Sequence, residues 1–140
     1  MNVYFETSAL IKLFLDEPGA DDARDLWDAA DLVTIALIAY PEARAALAAA
    51  ERARRISAAE LGGVKQRLDR RWIQAQVIDF DQPIALTAGD ISERFALRGY
   101  NAVHLATAMS LQDDSLLIAT WDRELASACL EASLRISPPL

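Results

Sequence analysis

The chain has 140 residues, of which 53% are hydrophobic, so it can bury a core of its own, and we expect a single domain over residues 1–140. The net charge of −7 argues against a protein that coats nucleic acid, and the single cysteine, Cys129, excludes an internal disulfide framework. No transmembrane-length apolar run and no signal-peptide pattern is present, so we expect a soluble, cytoplasmic protein with no membrane partner.

The first half of the chain opens on a short apolar run. Val3-Tyr4-Phe5 predicts a buried strand that ends in one acid, Glu6. A helical pattern begins at Thr7 and Ser8, so the acid is expected at the carboxyl end of a strand, before a helix start. Further predicted elements are a helix over 20–30, a strand over 32–35, a helix with Pro41 in its first turn that runs to residue 53, and a helix from a capping box at Ser57 to about residue 74.

The second half repeats the alternation of strands and helices. The predicted elements are a strand over 77–80, a helix over 81–97, a turn over 98–100 with Gly99 just past the helix end, a helix over 102–111 capped by Asn101, a strand over 116–120, a helix over 123–130 and a strand over 134–136. Strands that alternate with helices predict an α/β fold, with a parallel sheet of about four to five strands sandwiched between helices.

Four polar positions, which we call the rim residues, are expected to meet at one edge of this sheet. Glu6 and Asp122 each follow a strand, and Glu42 and Asn101 each lie where a helix begins. In a parallel sheet the strand ends and the following helix starts share one edge, which is also where ligands bind. Carboxylates held close together repel one another unless a cation lies between them, and such oxygen ligands suit Mg²⁺ or Mn²⁺. The rim residues therefore predict a site for a divalent cation, which could activate a water molecule and stabilise the charge of a phosphodiester under attack.

Each rim residue also has a simpler interpretation. Glu6 and Glu42 could be surface acids near helix N-termini, and Asn101 and Asp122 could be helix caps. Three weaker candidates are Ser8 and Thr120, which could donate hydrogen bonds to bound water or phosphate, and Arg98, which could contact phosphate or a protein partner. The only histidine, His104, lies in an apolar stretch, and this favours a buried structural role over a catalytic base.

Four motifs in order make the chain resemble the PIN-domain proteins, and among them the VapC-like toxins of toxin–antitoxin pairs. The resemblance covers the whole chain and is carried by Val-Tyr-Phe-Glu6-Thr-Ser-Ala-Leu-Ile-Lys-Leu-Phe with Asp16-Glu17-Pro18-Gly19, by Tyr40-Pro-Glu42-Ala-Arg-Ala-Ala-Leu47, by Leu97-Arg-Gly-Tyr-Asn101-Ala-Val-His-Leu-Ala-Thr-Ala108, and by Leu117-Ile-Ala-Thr-Trp-Asp122.

This resemblance implies a metal-dependent endoribonuclease that cleaves structured RNA such as tRNA or rRNA. It also implies a homodimer and a cognate VapB-like antitoxin whose C-terminal segment enters the active cleft. On this basis Glu6, Glu42, Asn101 and Asp122 are the expected ligands of Mg²⁺ or Mn²⁺. The family normally has Asp at the positions of Glu6 and Asn101. The alternative is therefore a degenerate PIN domain that binds RNA or its antitoxin without cleavage.

Basic residues are concentrated in one stretch, residues 52–71, which we call the basic segment. It holds seven of the 14 basic residues of the chain, Arg52, Arg54, Arg55, Lys65, Arg67, Arg70 and Arg71, and two acids. Such a segment beside a cation site could hold an RNA backbone, or it could simply be a solvated helix face. The two helices that carry it are expected to form a hairpin.

Overall fold

Strands and helices alternate throughout the computed structural model, which describes residues 1–140. The strand and helix boundaries agree with the sequence-based predictions to within a few residues. The strands are β1 (Asn2–Phe5), β2 (Leu32–Ala36), β3 (Gln76–Ile78), β4 (Leu117–Ala119) and β5 (Arg135–Ser137). The helices are α1 (Thr7–Lys12), α2 (Ala20–Ala29), α3 (Ala39–Arg52), α4 (Ala58–Gln74), α5 (Gln82–Phe95), α6 (Gly99–Ser110) and α7 (Arg123–Glu131).

The five strands form one sheet in the order β3-β2-β1-β4-β5, and every neighbouring pair is parallel. This confirms the prediction of an α/β fold with a parallel sheet. The strands β2 and β3 lie on one side of β1. The chain then crosses the sheet, and β4 and β5 lie on the other side of β1. All strands consequently end at a common edge, which we call the carboxyl edge, and the strand order reverses between β1 and β4.

Helices cover both faces of the sheet. Successive side chains of a strand point to opposite faces, so the apolar side chains of a strand are buried against helices on both sides. In β1, Val3 and Phe5 belong to one buried cluster, together with apolar residues of α1 to α4. Tyr4 belongs to a second buried cluster, formed with residues of α5, α6 and α7. The central strand is therefore buried on both sides, and the residues that follow it are held rigidly.

Two predictions at the start of α6 are wrong. Gly99 does not directly follow α5, because the helix ends at Phe95 and the residue that caps it is Ala96, which adopts the left-handed conformation with φ 52°. The extended residue Arg98 then caps α6, and Gly99 is the first helical residue. Asn101 is accordingly no helix cap. It lies inside the first turn of α6 and is 1% exposed.

The two helices that carry the basic segment pack against each other as a hairpin, as expected. The hydroxyl of Tyr40, at the start of α3, donates a hydrogen bond of 2.7 Å to Asp69, near the end of α4. The rings of Tyr40 and Trp72 also meet edge to face, with centroids 5.2 Å apart. These contacts join the start of one helix to the end of the other, so the two helices run antiparallel.

None of the seven helices combines the length and the hydrophobicity that crossing a membrane requires.

Gly19 is a position where the fold requires glycine. It begins α2 with φ 87°, and a Cβ atom there would lie 2.6 Å from Nε1 of Trp121. We expect Gly19→Ala to lower the free energy of unfolding by about 2–4 kcal/mol, from the left-handed backbone and the clash with the indole. The control is Gly89→Ala inside α5, where no atom lies within 4 Å; it should stabilise by about 0.5–1 kcal/mol. Urea unfolding measures both, and equal effects would contradict the expected role of Gly19.

Cys129 is a packing residue of α7, and burial raises the pKa of its thiol to about 12, with a smaller contribution from the charge of Glu6. The folded state thus keeps a proton that the unfolded chain loses above about pH 8.5. Stability should therefore fall as the pH rises from about 9 toward 12, by about 2 kcal/mol between pH 8 and pH 10.5. Urea unfolding at both pH values should show a smaller fall in Cys129→Ala. An unchanged fall in that variant would show that the thiol contributes nothing.

Candidate metal centre

The candidate site lies at the carboxyl edge, where the strand order reverses. Glu6 directly follows β1, and Asp122 follows the neighbouring strand β4. The backbone N–H of Glu6 donates to the carbonyl of Ala119, at 3.0 Å, so the pairing of the two strands continues up to the acid. A reversal of strand order opens a crevice between the flanking helices, and ligands of open α/β sheets bind in this crevice.

Glu6 is nearly buried and is held by a dense set of donors. Its Oε2 accepts hydrogen bonds from the backbone N–H of Ser8, at 3.0 Å, and from the hydroxyl of Thr120, at 2.8 Å. The hydroxyl of Ser8 donates to the same oxygen and itself accepts from the N–H of Trp121, at 2.8 Å. Ser8 and Thr120 thus hold Glu6 in place, and Glu6 caps α1. Its second oxygen, Oε1, has no hydrogen bond within the protein.

Asp122 and Asn101 form the second pair of the site. Asp122 caps α7, because its Oδ1 accepts from the N–H of Leu125 at 2.9 Å. Its Oδ2 accepts from Nδ2 of Asn101 at 3.2 Å. The other polar atom of the Asn101 amide, Oδ1, is fully buried and has no hydrogen-bond partner. A buried acceptor without a partner is unfavourable unless something absent from the protein satisfies it.

Glu42 makes a separate set of hydrogen bonds, which includes Thr7, the neighbour of Glu6 in the chain. The hydroxyl of Thr7 donates to Oε1 of Glu42 at 2.9 Å, and Nε2 of His104 lies 2.7 Å from the same oxygen. Oε2 of Glu42 makes no hydrogen bond within the protein, and the side chain is 29% exposed. Glu42 lies in the first turn of α3, so the prediction that it starts a helix at this edge agrees with the structure.

The hydrogen bonds of Glu42 continue into the core through His104. Nδ1 of His104 lies 2.7 Å from the hydroxyl of Tyr4, and His104 is fully buried. Burial raises the pKa of Tyr4 well above its usual value, and the charges of Glu6 and Glu42 raise it further. The Tyr4 hydroxyl therefore keeps its proton. The contact of His104 with Glu42 was not foreseen, although helical spacing places residue 104 one turn beyond Asn101.

The rim residues lie in two sets of hydrogen bonds at the carboxyl edge. The first set joins Glu6, Asp122 and Asn101, because Thr120 donates to Glu6 and accepts from the N–H of Asp122. The second set joins Glu42 to Thr7 and His104. Glu6, Glu42 and Asn101 each keep one oxygen free of protein hydrogen bonds, and all four residues offer hard oxygen donors of the kind that Mg²⁺ and Mn²⁺ prefer. The unpartnered Oδ1 of Asn101 fits a cation ligand well. No three acidic, histidine or cysteine side chains lie close enough together to hold a metal ion, so the structure does not gather the three rim carboxylates around one point.

Two sets of basic residues lie outside these hydrogen-bonded networks. Arg98 is exposed and donates to the hydroxyl of Tyr100 at 3.1 Å. This hydrogen bond raises the pKa of Arg98, and the charges of Glu124 and Asp122 add to the effect. In the basic segment Arg55 pairs with Glu17 at 2.9 Å and Arg71 with Asp28 at 3.7 Å. The remaining basic side chains of that segment form no such ion pair.

Comparison with known proteins gives consistent matches. The model of the PIN domain family matches residues 3–130. Ribonuclease VapC45 of Mycobacterium tuberculosis is 38% identical over 136 residues, which cover 97% of this chain and 94% of the relative. Among solved structures, a toxin–antitoxin complex from Klebsiella pneumoniae is similar with a TM-score of 0.61 and 24% identity, over 84% of each chain. VapC20 of Mycobacterium tuberculosis, described as a sarcin–ricin loop cleaving toxin, has a TM-score of 0.69 and 14% identity, over 90% of this chain and 94% of that one.

Proposed function

This chain belongs to the PIN domain family, and we propose that it is the toxin ribonuclease of a toxin–antitoxin pair, with the four rim residues as ligands of a divalent cation. The observation that carries the assignment of the site is the position of these residues. Two of them end adjacent parallel strands, the other two lie in the first turns of helices, and a buried amide oxygen among them has no partner. The curated relative is a ribonuclease, which supports RNA as the substrate.

The protein side chains would act by holding and orienting ligands. Thr120 and Ser8 fix Glu6, Thr7 and His104 fix Glu42, and Asn101 fixes Asp122. A bound Mg²⁺ or Mn²⁺ supplies Lewis acidity toward the phosphate and lowers the pKa of bound water. Water is the nucleophile in this scheme, so no rim residue has to form a covalent bond with RNA. Arg98 is exposed at the start of α6, and its role in this scheme is to attract the phosphate backbone.

We extend the proposal to the partners. A VapB-like antitoxin is the expected protein partner, since solved toxin–antitoxin complexes are among the structural neighbours. The RNA substrate is proposed to be a structured one, tRNA or rRNA, and the neighbour described as cleaving the sarcin–ricin loop supports this choice. We also propose that the chain forms a homodimer and works in the cytoplasm, where these RNAs are found.

The direct test is cleavage of total tRNA and rRNA by the purified chain with Mn²⁺ or Mg²⁺. We expect discrete RNA fragments that disappear when the cation is chelated. Asp122→Asn is the matched control for a contaminating nuclease, because its carbonyl oxygen can still cap α7 while one ligand charge is lost. Intact RNA under all conditions, or equal cleavage by the control, would refute the proposed activity.

A second candidate function is binding without cleavage. The observation that favours it concerns Asn101, which is neutral and donates a hydrogen bond to Asp122. The site therefore lacks a fourth negative charge for a cation. The double variant Glu6→Asp with Asn101→Asp distinguishes the two functions. RNA cleavage by the double variant alone identifies the chain as a binding module, and equal cleavage by both proteins rejects that alternative.

The basic segment should contribute to RNA affinity and leave cation binding unchanged. Arg67 and Arg70 are exposed on α4 and make no ion pair, so replacing both by Gln should weaken RNA binding. The slope of log affinity against log salt should decrease by up to about 0.7 for each RNA phosphate that the variant no longer neutralises. The control replaces the exposed Arg94 and Arg135, outside the segment, which changes the net charge equally. Equal decreases in RNA affinity in both double variants would show that only net charge matters.

A further inference from the structure

Glu42 is held by a set of hydrogen bonds that extends from the rim into the core. One of its oxygens, Oε1, faces Nε2 of His104 at 2.7 Å and the hydroxyl of Thr7 at 2.9 Å. The other oxygen, Oε2, has no partner in the protein. A carboxylate held through one oxygen by two donors has little rotational freedom. Its second oxygen is therefore presented in a defined direction.

The hydrogen bonds of this network link three residues in a row. An ionised carboxylate only accepts hydrogen bonds, so Nε2 of His104 donates to Glu42. The hydroxyl of Tyr4 lies 2.7 Å from Nδ1, on the other side of the ring. Both nitrogens of the imidazole thus have a partner, one in the central strand and one at the rim.

Burial sets this arrangement apart from an ordinary surface hydrogen bond. His104 and Tyr4 are both fully inaccessible to solvent, and their rings meet edge to face with centroids 6.0 Å apart. Tyr4 lies in the central strand β1 and His104 in α6, so each ring is fixed by a different packed element. No water competes for the hydrogen bond between Tyr4 and His104, and the ring of His104 cannot turn away without leaving buried polar atoms unpaired.

We infer that His104, oriented by Tyr4, is a positioning residue that fixes the Glu42 carboxylate for a divalent cation at the rim. This inference rests on the proposed function, because it assigns a role toward the same site. Residues that hydrogen-bond to metal ligands fix the orientation of those ligands, and their loss typically lowers metal affinity or activity about 10–100-fold. The simpler alternative is a buried histidine that contributes only to folding.

Cation affinity separates positioning from a purely structural role. We expect His104→Leu, which removes both ring nitrogens, to weaken Mn²⁺ binding about 10–100-fold by calorimetry and to lower kcat for RNA cleavage with little change in KM. His104→Gln, whose amide can still donate to Glu42, should restore most of the affinity. Tyr4→Phe should give a smaller loss. The control is Leu105→Ala, a buried apolar truncation on the same helix that should lower Tm but leave Mn²⁺ affinity unchanged.

A second measurement does not depend on the cation. Nitrogen NMR of the imidazole in the metal-free protein should show a proton on Nε2, and the signal should change in Tyr4→Phe. An Nε2 without a proton overturns the inference whatever the chain does with metal. Native Mn²⁺ affinity in folded His104→Leu overturns it as well. If the native chain binds no divalent cation, the proposed function fails, while a proton on Nε2 would still establish how Glu42 is held.

Discussion

Glu42→Gln should reduce cation-dependent RNA cleavage by at least about a hundredfold, because loss of a ligand's supporting hydrogen bonds alone typically causes a 10–100-fold loss. The amide can keep its oxygen toward Thr7 and His104, where Oε1 now accepts two hydrogen bonds. Its NH₂ group then replaces Oε2, the oxygen that has no partner in the protein. A donor therefore occupies the place of a ligand, while the fold is retained.

The matched control for this prediction is Glu51→Gln, which makes the same chemical change nine residues further along α3. It lies about 14 Å from residue 42 along the helix axis, away from the rim. We expect native cleavage from this variant and near-native unfolding curves from both. Cleavage by Glu42→Gln at the native rate would remove Glu42 from the site, and with it the inference that the helix starts contribute ligands.

Asn101→Asp should have two opposite effects, one on stability and one on cation affinity. In the absence of metal, the new carboxylate replaces a donor 3.2 Å from Asp122 and sets a buried charge against a half-buried one. We expect the free energy of unfolding to fall by about 2–4 kcal/mol, from the lost hydrogen bond and the repulsion. With Mn²⁺ present, the added charge should raise cation affinity at least about tenfold. Saturating Mn²⁺ should then more than restore the lost stability.

The control repeats the same substitution at the opposite edge of the sheet. Nδ2 of Asn2 donates to Asp113 at 2.7 Å, so Asn2→Asp also creates a pair of acids. That pair is partly exposed and has no further ligands, so it should destabilise the protein slightly without creating tight Mn²⁺ binding. Urea unfolding with and without Mn²⁺, together with calorimetry, measures both variants. Unchanged Mn²⁺ affinity in Asn101→Asp would mean that its side chain is not a ligand.

The fold followed from local patterns in the sequence. Val3-Tyr4-Phe5 and the run from Leu117 to Ala119 are short, apolar and bounded by polar residues, as buried parallel strands are. The convergence of Glu6 and Asp122 then followed from geometry, since the strands of a parallel sheet all end at the same edge. Strand order could not be predicted in this way, because no local pattern states that β4 pairs with β1.

The details of the site were less predictable. The start of α6 was misjudged because Ala96, and not a glycine, adopts the left-handed conformation that ends α5. Asn101 was consequently expected at a helix cap instead of inside the helix. The contacts of His104 with Tyr4 and Glu42 join residues 100 and 62 positions apart. Sequence periodicity placed His104 among core residues, but it carried no information about which polar groups would face it.

The central claim is that one divalent cation is shared by the four rim residues. The most direct measurement is the anomalous diffraction of a crystal of the native chain that contains Mn²⁺. We expect one strong peak at the carboxyl edge, within coordination distance of oxygens of Glu6, Glu42, Asn101 and Asp122. A peak at another place, or none there at Mn²⁺ concentrations that support RNA cleavage, would contradict a shared cation.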